Sequence, residues 1–286
     1  MTTAQLLRTA WDWEPSVVGG CVALLIAYGV ACAHFPPVSP GRSLLFGTGL
    51  LILLLALVSP LDTLGDTYLF SAHMAQHMLL IQVTPPLLLL GVPPPVWRRI
   101  LVWAPADCLE RVLGQPFIAW PVGIITLWVW HAPALYNAVL GNQRLHIFQH
   151  ACFLVTATIF WWPVVSPLVE RRRLPSWAAV GYLMLGALSS SILGIILTFS
   201  PAGVYPAYVH PADPLRILPL VRDGWGLTLA ADQRLGGGLM WTVGGLLYLL
   251  AIVLTVVRWF GDLDDVTDSE DGPLAADEVT MVAGAR

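Results

Sequence analysis

Two pairs of histidines in this sequence have a spacing that suits a metal site. His73 and His77 stand four residues apart in SAHMAQHMLL, and His146 and His150 repeat this spacing in LHIFQHACF. Residues four apart on a helix lie on one face about a turn from each other, so each pair can direct two imidazoles at one ion. Because neutral imidazole is the commonest metal ligand in proteins, the two pairs predict a metal site built from two helices.

Further candidate residues lie close to these pairs. His131, near the end of the apolar stretch LWVWHAPALY, is the fifth predicted ligand. Asp62 and Asp66 precede the first pair in SPLDTLGDTYLF, where they could accept hydrogen bonds from imidazole N–H groups, although acids of a loop or a helix cap look the same. Met74 and Met78 add thioethers, which favour Cu(I).

A last group of polar residues stands ahead of the final apolar stretch, in ADQRLGGGLMW. Asp232 and Gln233 are predicted either to contact the histidines or to cap a helix. Met240 adds a third thioether to the same face. The segment also holds three consecutive glycines that predict close helix packing, namely Gly236, Gly237 and Gly238.

The composition indicates that the solvent of this chain is a lipid bilayer. Of its 286 residues, 57% are hydrophobic and only 11% are charged, which is far more apolar than a soluble domain of this size. All 14 basic residues are arginine, and the net charge of −4 provides no basic surface for nucleic acid. The four cysteines have no CxxC spacing, so we interpret them as small hydrophobic residues.

Apolar runs of about 18 to 25 residues mark the helices that cross the bilayer. We predict an all-α, polytopic membrane protein with a single bundle of about seven transmembrane helices. It has a short extracytoplasmic N-terminus (1–15), a membrane domain (16–260) and an acidic, disordered cytoplasmic tail (261–286). The predicted spans are 16–35, 44–59, 68–92, 117–139, 145–165, 177–200 and 239–260.

The distribution of arginine predicts the orientation, because cytoplasmic loops retain positive charge during insertion. Eight arginines lie near helix ends on one face of the predicted bundle, whereas five lie on the other, three of them in one long loop. We therefore predict that the N-terminus is outside and the C-terminus cytoplasmic. The third and fifth spans then begin at the outer face, where the fourth ends, so the five histidines are expected to meet there.

Other interpretations of the histidines stay open at this point. Each one alone could be a hydrogen-bonding residue between helices, since such contacts hold membrane helices together. Facing helices of a bundle can also supply axial ligands to haem. The sequence has no recognisable nucleophile with a neighbouring base and no phosphate-binding loop, so we predict that the protein is not an enzyme.

The motifs together resemble the CtaG family of caa3-type cytochrome c oxidase assembly factors. The resemblance runs from about residue 60 to residue 260. It rests on SPLDTLGDTYLFSAHMAQHMLL, WHAPALYN, HIFQHACFL with the following FWWPV, and ADQRLGGGLMW, in that order. Several motifs in one order are far more specific than a single HxxxH pair.

The resemblance implies a multi-pass protein of the bacterial plasma membrane that is required for forming active cytochrome c oxidase. It also suggests a connection with the copper of the oxidase. Our leading hypothesis is that the cluster binds copper, in preference to zinc or haem, and delivers it to an oxidase subunit. The alternatives are a metal-free membrane scaffold for an oxidase subunit and a haem-binding membrane protein. By position, the family's histidines correspond to His73, His77, His131, His146 and His150.

Overall fold

The described part of the chain is helical in all its regular structure. The computed structural model describes residues 2–35, 38–168, 170–171 and 173–270, except for the side chains of 262–270. In chain order the α-helices are α1 (Thr3–Thr9), α2 (Pro15–His34), α3 (Pro40–Val58), α4 (Pro60–Thr67), α5 (Phe70–Met78), α6 (Thr84–Gly91), α7 (Pro94–Ile100), α8 (Ala104–Leu113), α9 (Pro116–Trp130), α10 (Pro133–Leu140), α11 (Gln143–Val165), α12 (Ser176–Phe199) and α13 (Leu229–Glu270).

Six helical segments are long and apolar enough to cross a bilayer. They are α2, α3, the combined segment Phe70–Gly91, α11, α12 and α13. A seventh span is present only if α8 and α9, which meet at an angle of 78°, are counted as one bent span. The described chain is therefore an all-helical membrane bundle with six or seven spans.

The predicted span 117–139 is interrupted in the structure. Helix α9 ends at Trp130, and α10 begins at Pro133 after an extended residue, Ala132. Proline disfavours helical backbone at the residue before it and has no N–H to donate inside a helix, whereas it suits the first turn of a new helix. Pro133 therefore ends α9 just before His131 and starts α10.

The third span contains a π-helical turn ahead of Pro85 and Pro86. Prolines lack backbone N–H donors, so carbonyl groups in the preceding turn lose their helical partners. The indole Nε1 of Trp161, on α11, donates a hydrogen bond to the carbonyl oxygen of Ile81 at 2.8 Å. This contact satisfies one such carbonyl and ties the helix of His77 to α11.

Glycines bring α13 close to α5 and to α12. A Cβ atom on Gly236 would lie 2.4 Å from Cδ1 of Phe70, and one on Gly237 would lie 2.6 Å from the backbone nitrogen of Thr198. Both distances are far below van der Waals contact, so these two crossings require glycine. Gly238, in contrast, has open space around its Cα.

One end of the bundle is closed by α1, α4 and the long segment between α12 and α13. A buried apolar cluster joins these elements, in which Leu6 of α1 packs with Tyr68 and Leu69 and with Ile217 and Val221 of the long segment. Helices α5 and α11 begin at this end and α9 finishes there. The elements that carry the predicted ligands therefore meet at one end of the bundle.

The opposite end carries exposed ion pairs. Arg98 pairs with Glu170 at 2.9 Å, Arg111 pairs with Asp107 at 2.7 Å, and Arg171 also pairs with Asp107. Hydrogen bonds from Arg171 and Arg111 hold the pKa of the Asp107 carboxyl below its usual value. Exposed pairs of this kind contribute little to stability. Their relevance is that they concentrate arginine at the end predicted to face the cytoplasm.

The last helix continues beyond residue 260, where the membrane domain was predicted to end. The backbone of α13 is helical as far as Glu270. Extending an existing helix adds a hydrogen bond for each residue that is fixed and needs no new nucleus, so a helix can run on into polar sequence. Residues 271–286, which hold the rest of the predicted disordered tail, lie outside the described residues.

Candidate metal centre

The structure brings the five predicted histidines together, and we call them the histidine cluster. His73 and His77 lie on α5, His146 and His150 lie at the start of α11, and His131 follows the last residue of α9. Ring centroids are 4.2 Å apart in the first pair and 4.1 Å apart in the second. Between elements, 5.4 Å separates His73 from His146, and 5.4 Å separates His77 from His131.

The cluster is buried, and many of its ring nitrogens have no hydrogen-bond partner. The exposed fraction ranges from 0% for His73 to 9% for His150. Among the described residues, no partner is found for either ring nitrogen of His73 and His77, or for Nε2 of the other three histidines. A buried polar group without a partner costs about 1 to 3 kcal/mol. Lone pairs that converge in this way can coordinate a cation, which would replace the missing partners.

Three of the five histidines form a compact set of donors. One ring nitrogen each from His73, His146 and His150 lie within 4.8 Å of one another. A tetrahedral ion with metal–nitrogen bonds of about 2.0 Å places its ligands about 3.3 Å apart. Coordination by this set therefore requires the three nitrogens to approach one another by up to about 1.5 Å. His77 and His131 lie beside the set and line a separate cavity.

Asp66 of α4 is the carboxylate that contacts the cluster. Its Oδ2 lies 3.1 Å from Nδ1 of His146, whereas its Oδ1 lies 3.8 Å from Nδ1 of His73, too far for a hydrogen bond. When Nδ1–H of His146 donates to Asp66, the lone pair stays on Nε2. Such pairs fix the tautomer of metal-binding histidines and raise their basicity. The carbonyl of Leu127, 2.7 Å from Nδ1 of His131, has the same effect on that ring.

Asp62, the other acid named as a possible acceptor for imidazole N–H groups, bonds to a glutamine in the described structure. Its carboxylate accepts a hydrogen bond at 2.5 Å from Nε2 of Gln76, which also donates to the carbonyl of Ala56. Burial of Asp62, together with the nearby charge of Asp66, raises its pKa to about 8. Asp62 lies one turn of α4 further from the imidazoles than Asp66. Its hydrogen bond with Gln76 links α4 to α5, and Gln76 in turn links α5 to α3.

Asp232 and Gln233 bind main-chain groups near the cluster. The carboxylate of Asp232 accepts hydrogen bonds from the backbone nitrogens of Phe70 and Ser71, at 2.8 and 3.0 Å, and from the Ser71 hydroxyl at 2.6 Å. These N–H groups belong to the first turn of α5 and have no partner within the helix, so Asp232 caps the histidine helix from α13. Gln233 accepts from the backbone nitrogen of Gly203 and so anchors the long segment.

Three buried tyrosines cover the cluster, and their positions in the sequence gave no sign of this role. The ring of Tyr136 lies 5.2 Å from that of His73, and its hydroxyl is hydrogen-bonded to that of Tyr208 at 3.1 Å. The hydroxyl of Tyr205 donates to the carbonyl of His131 at 2.9 Å. Tyr136 belongs to the WHAPALYN motif. Tyr205 precedes, and Tyr208 ends, a single 3₁₀ turn (Pro206–Tyr208), which is too short to show a periodicity from which such a contact can be predicted.

An open cavity of about 280 Å³ reaches the cluster from the side. It lies between α2, α3 and α11, and apolar side chains such as Leu24, Leu53 and Leu154 form much of its wall. His150, the most exposed histidine of the cluster, also lines it. The cluster therefore has a lateral opening at His150, whereas the tyrosines close it at the end of the bundle.

The predicted thioethers lie on another side of the cluster. Met74 and Met78, together with Met240, line a small buried cavity of about 20 Å³. His77 and His131 are part of the same wall. The thioethers are thus adjacent to two of the five histidines.

Three mycobacterial proteins, all described as uncharacterized, are similar to this chain. Those of Mycobacterium bovis and Mycobacterium tuberculosis are each 27% identical to it, over 94% of this chain and 42% of their own length. The protein of Mycobacterium leprae is 25% identical over 88% of this chain and 40% of its own length. The chain thus spans about two fifths of the length of the curated relatives it matches. No solved structure matches it.

A family model confirms the resemblance that the motifs indicated. The model described as cytochrome c oxidase caa3 assembly factor (Caa3_CtaG) matches residues 22–262. The match includes every histidine of the cluster, the Asp66 that contacts it and the Asp232 that caps α5. The chain therefore belongs to the family of cytochrome c oxidase caa3 assembly factors.

Proposed function

We propose that this protein binds copper as Cu(I) at the histidine cluster and delivers it to a subunit of cytochrome c oxidase during assembly. The observation that carries the proposal is the set of ring nitrogens without partners that converge in a buried site. Membership of the family supplies the client, because an assembly factor acts on the oxidase that it helps to form. Copper is a cargo in this proposal, so the site has to release it as well as hold it.

A purely structural role accounts poorly for the histidines. Histidines that join membrane helices use their ring nitrogens in interhelical hydrogen bonds. His73 and His77 have no such bond on any of their ring nitrogens among the described residues. Each unpaired group lowers stability by about 1 to 3 kcal/mol. A bound cation would remove this cost at the nitrogen of each ring that carries the lone pair, because that nitrogen would form a ligand bond.

Charge balance favours a monovalent ion. Asp66 contacts the cluster, and imidazoles are neutral donors when they bind metal. One ionised carboxylate and one Cu(I) ion cancel, whereas a divalent ion would leave a net positive charge in a buried site. The buried cavity beside the cluster, about 20 Å³, has room for a single ion. A macrocycle needs far more space, so haem could not enter this small cavity.

Release requires that one ligand of the ion be replaced by a ligand of the client. His150 is the cluster member at which this exchange begins in our proposal, because it is the most exposed of the five and lines the open cavity. A segment of the client that enters between α2 and α11 could offer a ligand there while the other histidines stay shielded. Copper would remain coordinated throughout, and no electron would be transferred.

The proposal also includes a location for the site. We place the cluster at the outer face of the bacterial plasma membrane, with the N-terminus outside and the C-terminus in the cytoplasm. Arg98, Arg111 and Arg171 lie at the opposite end of the bundle, and positive charge is typical of the cytoplasmic side. A reporter that is active only in the cytoplasm should function when fused to the C-terminus and fail when fused to the N-terminus.

Copper binding by the purified full-length protein, prepared without a polyhistidine tag, is the first test. We expect the wild type to bind Cu(I) and the double variant His73→Ala/His77→Ala to lose it. His34→Ala and His210→Ala are matched controls, because both residues are exposed and lie outside the cluster. Equal copper content in the wild type and the double variant would contradict the proposal. A haem absorption band in the purified wild type would favour the haem alternative.

Oxidase activity in cells separates a copper donor from a metal-free scaffold. The double variant is produced at the level of the wild type in the membrane, and oxidase activity is then measured in both strains. We expect activity to fall together with copper binding. A variant that has lost copper but supports full oxidase activity would defeat the donor hypothesis and support the scaffold.

A further inference from the structure

A small buried cavity lies next to the histidine cluster, deeper in the bundle. Its volume of about 20 Å³ is close to the space that one water molecule or one metal ion needs. Three thioethers and two imidazoles form part of its wall, those of Met74, Met78, Met240, His77 and His131. The whole chain has six methionines, so half of them surround this one cavity.

The two histidines of this cavity, His77 and His131, are the members of the cluster that do not belong to the compact set of three donors. His77 has no partner on either ring nitrogen, and Nε2 of His131 has none among the described residues. The hydrogen bond from Nδ1 of His131 to the carbonyl of Leu127 keeps the lone pair on Nε2. The two ring centroids are 5.4 Å apart, a separation that an ion bound to both rings can bridge.

Helix geometry brings the thioethers to the same place. Met74, His77 and Met78 follow one another at intervals of three and one residues, so the first lies one turn before the other two on one face of α5. Met240 comes from α13, which Gly236 allows to pack tightly on α5. All three methionine side chains are buried. Residues from α5, α13 and the end of α9 therefore line one cavity.

Packing alone does not explain this set of residues. Methionine often fills irregular gaps in a core, but a cavity shaped only by packing would not leave imidazole nitrogens without partners. Thioethers and imidazoles together are ligands for soft copper ions, and hard cations prefer oxygen. All five donors are neutral, so a singly charged ion brings the least charge into the interior.

We propose that this cavity is a second Cu(I) site, formed by His77, His131 and the thioethers of Met74, Met78 and Met240. It rests on the copper-binding function proposed above and adds an inner position for the ion. The ring of His77 lies 4.2 Å from the nearest ring of the compact set, so this residue connects the two positions. Movement between them exchanges one neutral ligand for another. Copper stays Cu(I), and no proton or electron has to be supplied.

X-ray absorption at the copper edge, combined with metal analysis, tests the second site. The full-length protein carries alanine in place of its four cysteines, so that any sulfur bound to copper comes from methionine. After loading with Cu(I) under reducing conditions, we expect two copper ions per chain with both sulfur and nitrogen ligands. The triple variant Met74→Leu/Met78→Leu/Met240→Leu is expected to hold one ion with nitrogen ligands alone. Leucine is close to methionine in volume, so the core remains filled.

Two further variants make the result decisive. Met184→Leu is the matched control, because its side chain is 58% exposed on α12 and should leave the spectrum unchanged. Met240→Leu alone removes the thioether that α13 supplies, and a reduced sulfur signal is expected even if the triple variant does not fold.

The outcomes distinguish this inference from the function on which it rests. Copper bound by nitrogen alone in the parent protein, or a sulfur signal that persists in the triple variant, would overturn the second site and leave copper binding intact. A parent protein that binds no copper would overturn both proposals. Loss of sulfur ligands with retention of one nitrogen-bound ion supports both.

Discussion

Oδ2 of Asp66 lies 3.1 Å from Nδ1 of His146, and this contact joins α4 to α11 at the edge of the histidine cluster. At this distance the carboxylate can accept a hydrogen bond from Nδ1–H, which leaves the lone pair of the ring on Nε2, a nitrogen without a partner among the described residues. Helix α4 carries no histidine itself, but its position determines the tautomer of His146 on α11. A hydrogen bond from Gln76 to Asp62 helps to hold α4 in that placement.

Replacing Asp66 with asparagine should weaken copper binding. Loss of a carboxylate that orients a metal-binding histidine typically reduces affinity by about 10- to 100-fold, and we expect an effect in this range for Asp66→Asn. Competition against a Cu(I) chelator of known affinity measures it. Asp62→Asn is the control, because it replaces the other carboxyl group of the same helix, at a residue that bonds to Gln76. Equal losses in the two variants would argue against a specific role for Asp66.

Sequence alone could not choose between these two acids. Asp62 and Asp66 are four residues apart, so a helix presents them on one face, and both precede the first histidine pair. The choice depends on how α4 crosses α5, and that crossing is set by contacts distant in sequence, such as those of Tyr68 with Ile217 of the long segment. The pattern therefore predicted a carboxylate near the imidazoles but not which one.

The buried carboxyl group of Asp62 should make stability depend on pH. Its pKa is about 8 in the folded protein, against an ordinary value of 3.8, so between these values the folded state holds a proton that the unfolded state has lost. The free energy of unfolding should then fall by about 1.4 kcal/mol per pH unit as pH rises, and level off above pH 8. Unfolding temperatures in detergent across this range measure the effect.

Asp62→Asn provides the control for this pH dependence. Asparagine cannot ionise, and its side-chain oxygen can still accept the hydrogen bond from Gln76, so the slope due to this residue should disappear. Asp66→Asn should lower the pH at which the decline in unfolding free energy levels off, because the charge of Asp66 helps to raise the pKa of Asp62. Identical pH profiles in the wild type and Asp62→Asn would assign the dependence to other groups.

Filling the lateral cavity should slow the release of copper without abolishing its binding. A Cβ atom on Gly20 has no neighbour within 4 Å, and Gly20 lines the cavity that reaches His150. The ring in Gly20→Phe is therefore expected to occupy the opening. The measurement is the rate at which neocuproine, a hydrophobic Cu(I) chelator, removes copper from the loaded protein.

Gly19→Phe is matched to this variant. It makes the same substitution on the same helix, also with no neighbour within 4 Å, at a residue that is not part of the cavity wall. We expect its release rate to equal that of the wild type. Similar rates in Gly20→Phe and Gly19→Phe would show that copper leaves by another route, and would remove His150 from its proposed role in exchange.

The meeting of the five imidazoles could be predicted because it depends on two regular features. HxxxH spacing places two rings on one helix face, and successive spans alternate in direction, so the end of α9 lies beside the beginnings of α5 and α11. The cover over the cluster could not be predicted in this way. Tyr205 and Tyr208 lie at a single 3₁₀ turn of the long segment. Their contacts with His131 and Tyr136 depend on the path of that segment, which Gln233 anchors from α13.

Gly236 and Gly238 should respond in opposite directions to alanine. A methyl group on Gly236 would lie 2.4 Å from Cδ1 of Phe70 and 3.1 Å from Cα of Ser71. The Ser71 atom belongs to the backbone and cannot rotate away, so the clash is relieved only if α13 moves away from α5. Overpacking of this kind costs about 1 to 3 kcal/mol. The movement would also weaken the cap that Asp232 forms, so both the unfolding temperature and the copper affinity should fall in Gly236→Ala.

Gly238→Ala is the matched control for this packing. Apart from the neighbouring turns of α13 itself, no described atom lies within 4 Å of its added methyl group, and alanine is favoured over glycine inside a helix by about 1 kcal/mol. We therefore expect an unchanged or higher unfolding temperature and the copper affinity of the wild type. Unfolding temperatures and chelator competition are measured on both variants in the same detergent. If both substitutions were neutral, the close crossing at Gly236 would not be what fixes α5, and the position of His73 and His77 would need another explanation.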